Sequence, residues 1–170
     1  MSEEIRAWFA GRLPADWLSG AATVTVDRDE ILVVVPIAPP EAAAGDDTAR
    51  ASAAAGRVSR FREETREARM RIADEAQHRF GRKVSWGAEC GESRALFTTL
   101  SAPVMTRLRQ PERIVLDTLV DAGVARSRSD ALGWCVRLVG QHSQEWLSEL
   151  REALREVERL RGAGPAATTG

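Results

Sequence analysis

The chain has 170 residues, of which 44% are hydrophobic and 29% charged, and a formal net charge of −1 at pH 7. That length suffices for one medium domain or two small ones with cores of their own, so disulfide staples are not required. The near-neutral balance excludes a protein that coats nucleic acid through bulk charge, and any DNA contact must be local.

Cys90 and Cys135 are isolated thiols, the chain opens on the polar run MSEEIR, and the longest apolar run, ILVVVPIA, is only strand-length. These features predict a cytoplasmic protein in a reducing compartment, with no membrane span. From Glu4 to Leu13 the spacing predicts a short amphipathic helix with Ile5, Trp8 and Phe9 on one face, ended by Pro14. The period then changes. Thr23–Val26 and Ile31–Val35 are β-branched runs separated by Asp27-Arg28-Asp29-Glu30, which reads as a hairpin with a polar turn. Pro36, Pro39, Pro40 and the Ala, Gly and Asp residues up to Asp47 predict a mobile loop.

Residues 49–80 return to a helical period through Val58, Phe61, Ala68, Ile72, Ala76 and Phe80, and Gly81 stops the run. Lys83 to Trp86 alternates like a third strand, Cys90 to Ser93 reads as a turn, and Leu96 to Leu100 as a further strand or a linker. The N-terminal unit is thus expected as an α-β-β-α-β arrangement over residues 1–92, a long helix covering a small sheet. Between Arg50 and Lys83 there are ten basic residues against five acidic ones. Arg62, Arg66 and Arg69 share a helical face there and form a candidate second basic surface for nucleic acid or an acidic protein. Glu63, Glu64 and Glu67 lie within one turn of them, so the competing reading is a solvated, internally paired face.

His78, Cys90, Cys135 and His142 have no metal-ligand spacing, and no nucleophile elbow, phosphate loop or spaced carboxylate pair is present, so neither an enzyme nor a cofactor is expected. The five Trp residues fall at helical or strand periods and read as core. Trp17 or Trp86 could line a small-molecule cleft, although no polar residues visibly converge on them.

The C-terminal part carries the most informative order. PVMTRLR, residues 103–109, predicts a short Arg-bearing strand. A helix follows from Glu112 to Ala122 with Val115, Leu116, Leu119 and Val120 on one face, then a turn at Gly123. Ser127-Arg128-Ser129-Asp130-Ala131-Leu132 opens a last helix reaching about Leu160, its seam running through Leu132, Val136, Val139, Trp146, Leu150, Leu154, Val157 and Leu160 and broken at Gly140. Residues 163–170 are expected to be a disordered tail.

Residues 103–139 in this order resemble the ribbon-helix-helix family of DNA-binding proteins, in which two chains pair their strands into a ribbon that enters the major groove. The resemblance implies a dimeric module over residues 93–162 with an extended last helix, and an α+β chain as a whole. The family's spacing from the last core-facing strand residue to the Ala-Gly ending the first helix is matched by Leu108 and Ala122-Gly123. Val104, Thr106 and Leu108 then belong to the dimer core with Leu116, Leu119, Leu132 and Val136. Pro103, Met105 and Arg107 point at DNA, Met105 and Arg107 reading bases. Arg109, Arg126, Ser127, Arg128 and Ser129 hold phosphates at the helix start. Pro103 and Met105 are less polar than the family's usual groove-facing residues.

The resulting reading is a homodimeric DNA-binding protein, a transcriptional regulator or nucleoid component, whose N-terminal unit binds a partner or signal. A second is a protein-interaction adaptor or antitoxin that uses the module mainly to dimerise, with a partner on the N-terminal unit or the last helix. A third is RNA binding by the N-terminal unit, whose hairpin, basic helix and third strand resemble small KH-like folds but lack their GxxG loop.

Overall fold

A computed structural model describes residues 2–40 and 46–163. The protein is α+β and divides into two compact units, Met1–Val104 and Met105–Gly170. The mobile loop expected before Asp47 lies partly, and the expected C-terminal tail almost wholly, outside the described residues.

The first unit runs α1 (Ser2–Arg12), a 3-10 turn at Ala15–Trp17, β1 (Thr23–Val26), β2 (Glu30–Pro36), α2 (Asp47–Glu64), α3 (Arg66–Phe80), β3 (Lys83–Cys90) and β4 (Ser93–Leu96). The polar turn works as expected. Asp27 Oδ1 accepts the amides of Asp29 and Glu30 at 2.8 and 2.7 Å, which reverses the chain and sets Val24 opposite Val33 and Val26 opposite Ile31. β2 then pairs in parallel with β3, Val33 against Trp86, with α2 and α3 as the crossover between them. β3 returns antiparallel into β4 through a two-residue turn, in which Gly91 takes the positive φ of 57°. The sheet order is therefore β1-β2-β3-β4.

One face of this sheet forms the core with the helices. Ile31, Val33, Val35, Trp86, Ala88 and Cys90 bury against Ile5 and Phe9 of α1, Val58 and Phe61 of α2, and Ile72 and Ala76 of α3. Edge-to-face ring contacts lock it: Trp17 on Phe61 at 5.4 Å, Phe9 on Trp86 at 6.2 Å and Trp8 on Phe80 at 5.6 Å. A bidentate pair between Arg12 and Glu75, at 2.7 and 2.8 Å, ties α1 to α3 from outside.

Two expectations need correction here. The helical period over 49–80 is not one helix: it breaks at Thr65, whose φ of −97° and ψ of 2° leave the helical well. The Thr65 hydroxyl donates to Phe61 O at 2.5 Å and accepts from Arg69 Nε at 2.9 Å, a side chain to backbone competition that bends helices. The unit boundary also moves. Ser93–Leu96, expected in the C-terminal module, pairs with β3, and the Phe97 and Thr98 amides continue to Trp86 O at 2.7 and 3.3 Å. The Leu100 amide reaches Glu30 Oε1 at 2.9 Å, so the first unit extends past residue 92 and reads α-β-β-α-α-β-β.

The second unit consists of α4 (Gln110–Asp121), α5 (Arg128–His142) and α6 (Gln144–Ala163). Gly123, at φ 72°, ends α4, and the Val124 and Ala125 amides fold back to Leu119 O at 3.0 and 3.1 Å. The long last helix is two helices. The break falls at Ser143, with φ −124°, rather than at Gly140, which lies inside α5. Among the described residues no helix is long and apolar enough to cross a membrane.

Gly87 shows how tightly the two antiparallel strands approach. A Cβ there would lie 2.8 Å from both Ala95 O and Leu96 Cδ2. Because one of those atoms is backbone, Gly87→Ala is expected to cost about 1–3 kcal/mol through strain. Urea unfolding followed by circular dichroism measures it, and a stability equal to the parent's would show that β4 yields freely.

Candidate functional site

The second unit collects the residues expected to touch DNA around the α4–α5 turn. Leu116, Ala125 and Ala131 are its buried centre, and Leu108, Leu119, Val120, Leu132 and Cys135 pack around them. Leu108 is half-buried against this centre. Val104 and Thr106 are not: both are exposed, Val104 by 83%, and Val136 is exposed by 65%. Residues 98–109 belong to no strand, so the strand expected at 103–109 does not form within one chain. Met105 is 97% exposed and Arg107 is exposed beside it. Arg109 occupies the N-cap position of α4 without capping through its side chain, and Arg113 Nη1 donates to Leu108 O at 2.8 Å, holding the segment's end to the helix.

The start of α5 is closed by two reciprocal bonds. Ser127 Oγ accepts the Asp130 amide at 3.2 Å, while Asp130 Oδ2 accepts the Arg126 amide at 3.0 Å. Arg126 and Ser129 lie exposed at this end. Arg128, expected to help hold a phosphate, is engaged within the chain. Its Nε and Nη2 grip both oxygens of Asp117 at 2.6 and 2.8 Å, tying α5 to α4. Hydrogen bonding from Arg128, then its charge and that of Arg113, hold the Asp117 carboxyl below the usual carboxylate range.

In the first unit the break at Thr65 gathers Arg62, Arg66 and Arg69 along one cleft of about 680 Å³. Ser59, Glu63, Met70 and Ala73 complete its helical wall, and Val84, Trp86, Phe97 and Thr98 form the other side. Arg69 is 6% exposed. Its Nε donates to Thr65 Oγ1, its Nη2 to Arg62 O at 2.6 Å, and its guanidinium lies 4.8 Å from the Phe97 ring centre, where Arg62 also stacks at 5.9 Å. Burial, and then the neighbouring charges of Arg62 and Arg66, lower the Arg69 pKa. Among the described residues no ion pair engages these three: Glu64 pairs with Arg60 at 3.7 Å, and Glu63 lines the cleft beside them. Trp86, 3% exposed, lines the cleft with a buried Nε1–H that has no hydrogen-bond partner among the described residues. Polar residues therefore do converge on Trp86, from a helix more than fifteen residues away in sequence, which periodicity alone does not reveal. Trp146, by contrast, is exposed rather than core.

A mixed four-stranded sheet covered by helices, followed by a helical unit with a capped turn, defines a two-unit α+β protein. Each unit matches a known family. Residues 3–96 match the Rv1265-like protein N-terminal domain and residues 109–161 the Mb1296 C-terminal domain, and the chain belongs to the Rv1265-like family. It is 63% identical over 158 residues to protein Rv1265 of Mycobacterium tuberculosis (strain H37Rv), covering 93% of this chain and 69% of that one. The same figures hold for protein Mb1296 of Mycobacterium bovis. No solved structure matches the chain at a significant level.

The Arg128–Asp117 tie has a defined pH signature. A carboxyl whose folded pKa lies below its unfolded value of about 3.9 contributes stability above that value and loses it as pH falls through the folded pKa. An NMR titration of the side-chain carboxyl should place the Asp117 midpoint below the usual range in the parent and back towards it in Arg128→Gln. An unmoved midpoint would mean that Arg128 is not its partner in solution.

Proposed function

We propose that the chain is a homodimeric DNA-binding protein, with a binding rather than a catalytic role, in which residues 103–109 of two copies pair into a ribbon that enters the major groove. The observation that carries this reading is the combination of an inward Leu108, a glycine-ended α4 and a Ser-capped α5 around the small buried centre of Leu116, Ala125 and Ala131. Directly before it stands a segment with exposed Val104 and Met105 and no strand partner among the described residues. A second copy would satisfy both the backbone and the apolar side chains of that segment. Arg107 is then the side chain placed to read guanine, while the α5 start, with Arg126, Ser127 and Ser129, meets a phosphate. A transcriptional regulator is the role that suits such local contacts on a chain of net charge −1.

The adaptor reading rests on a different observation. α6 exposes Trp146, Leu150, Leu154, Val157 and Leu160 at spacings of three and four, an apolar stripe with polar residues on its other side. A helix of this kind seats against another protein without needing DNA.

Light scattering on the purified chain is expected to give twice the 18.6 kDa chain mass, and a monodisperse monomer sinks the ribbon. Arg107→Ala should preserve the dimer yet remove roughly 1–3 kcal/mol of discrimination per half-site between the best footprinted duplex and a scrambled one. Ser127→Ala should weaken both duplexes alike, because phosphate contacts position a protein without reading sequence. If Arg107→Ala binds both duplexes as the parent does, the adaptor reading takes its place. Leu116→Ala, at the buried centre, is expected to cost about 2–5 kcal/mol in urea unfolding and to reduce dimer content with it.

A further inference from the structure

The cleft on α2 and α3 concentrates three guanidinium groups against one carboxylate, Glu63, within a concavity of about 680 Å³, the size of a small organic ligand's site. Two features separate it from an ordinary basic surface. Arg69 is buried although none of its hydrogen bonds goes to an anion: the acceptors are a hydroxyl and a carbonyl, and its charge faces Arg62 and Arg66. A cation kept from water beside like charges lacks the compensation that a counter-ion supplies. The second feature is the Trp86 Nε1–H, a donor 97% removed from solvent with its side chain, lining the same cleft and bonded to nothing among the described residues. Beyond the charges, Met70, Ala73 and Val84 offer apolar surface, Met70 being largely exposed.

We infer that this cleft is the binding site of a small organic phosphate, with the phosphate on Arg62, Arg66 and Arg69 and an apolar body against Met70, Ala73 and Val84. The excess of two positive charges matches a phosphate monoester, which carries close to two negative charges at neutral pH. Arginine forks fit phosphate oxygens in pairs. The assignment goes beyond DNA binding and is independent of it, since every residue belongs to the first unit.

The test uses the full chain and phenyl phosphate as the probe, with phenol, benzoate and inorganic phosphate as comparators. In 15N-correlated NMR spectra each of the five tryptophans gives an indole N–H signal, and Trp86→Phe assigns one of them to Trp86. Phenyl phosphate should shift that signal and saturate, with phenol silent and both benzoate and inorganic phosphate weaker. Arg66→Gln, at an exposed position that does not disturb the core, should lower phenyl phosphate affinity about tenfold or more, as should Arg62→Gln. Arg60→Gln, whose charge lies outside the cleft and pairs with Glu64, should leave it unchanged. The inference is overturned if no probe moves the Trp86 signal, if inorganic phosphate binds as well as phenyl phosphate, or if Arg60→Gln weakens binding as much as Arg66→Gln. It is equally overturned if single-stranded RNA moves that signal and phenyl phosphate does not, which would make the cleft a nucleic-acid surface.

Discussion

The first unit depends on one small knot of hydrogen bonds at Thr65. The Thr65 hydroxyl takes Phe61 O, a bond that a Thr also makes inside an intact helix, but here it presents its own oxygen to Arg69 as well. Because Arg69 also reaches Arg62 O, a single guanidinium stitches both sides of the break. The break lets α2 and α3 each follow the twisted sheet, so that Phe61 and Val58 of one and Ile72 and Ala76 of the other share a core. It also fixes Arg69 over Phe97, and so determines which residues face each other in the cleft.

Charge in this protein is organised locally. The net value of −1 hides a basic stretch in which some arginines are neutralised by defined partners, Arg60 by Glu64 and Arg79 by Glu4, while Arg12 of α1 pairs with Glu75. Exposed pairs of this kind contribute little to stability, but they decide which cations are left to act on something else. In the second unit the same logic engages the exposed Arg128 with Asp117. A charge count along the sequence cannot make this distinction, because it depends on which carboxylate the fold brings near.

Much of the fold was legible because period and punctuation agree locally. The polar turn at Asp27, the β-branched strands on either side of it, the Gly81 and Gly123 stops and the Ser127 cap each have short-range causes, and the structure realises each of them. What was not legible depends on distant partners. Ser93–Leu96 is a strand because Gly87 leaves room for it, and the break at Thr65 requires an arginine four residues on to complete it. The site followed the same division. The shared helical face of Arg62, Arg66 and Arg69 is a matter of spacing, whereas their meeting with Trp86 and Phe97 is a product of the crossover connection. A buried indole donor had no signal in the sequence beyond the tryptophan itself.

The parallel pairing of β2 with β3 has a kinetic consequence. Ile31 sits beside Val84, so the centre of the sheet joins residues more than fifty positions apart, with both crossover helices between them. The β1–β2 hairpin closes over a four-residue span and can form early, but its apolar face has nothing to rest on until the helices are made and β3 arrives. Closing that long loop is the entropically expensive step of assembly, and contacts of high sequence separation slow folding. During synthesis the hairpin must therefore wait, with β2 presenting an open edge, until Cys90 has emerged from the ribosome.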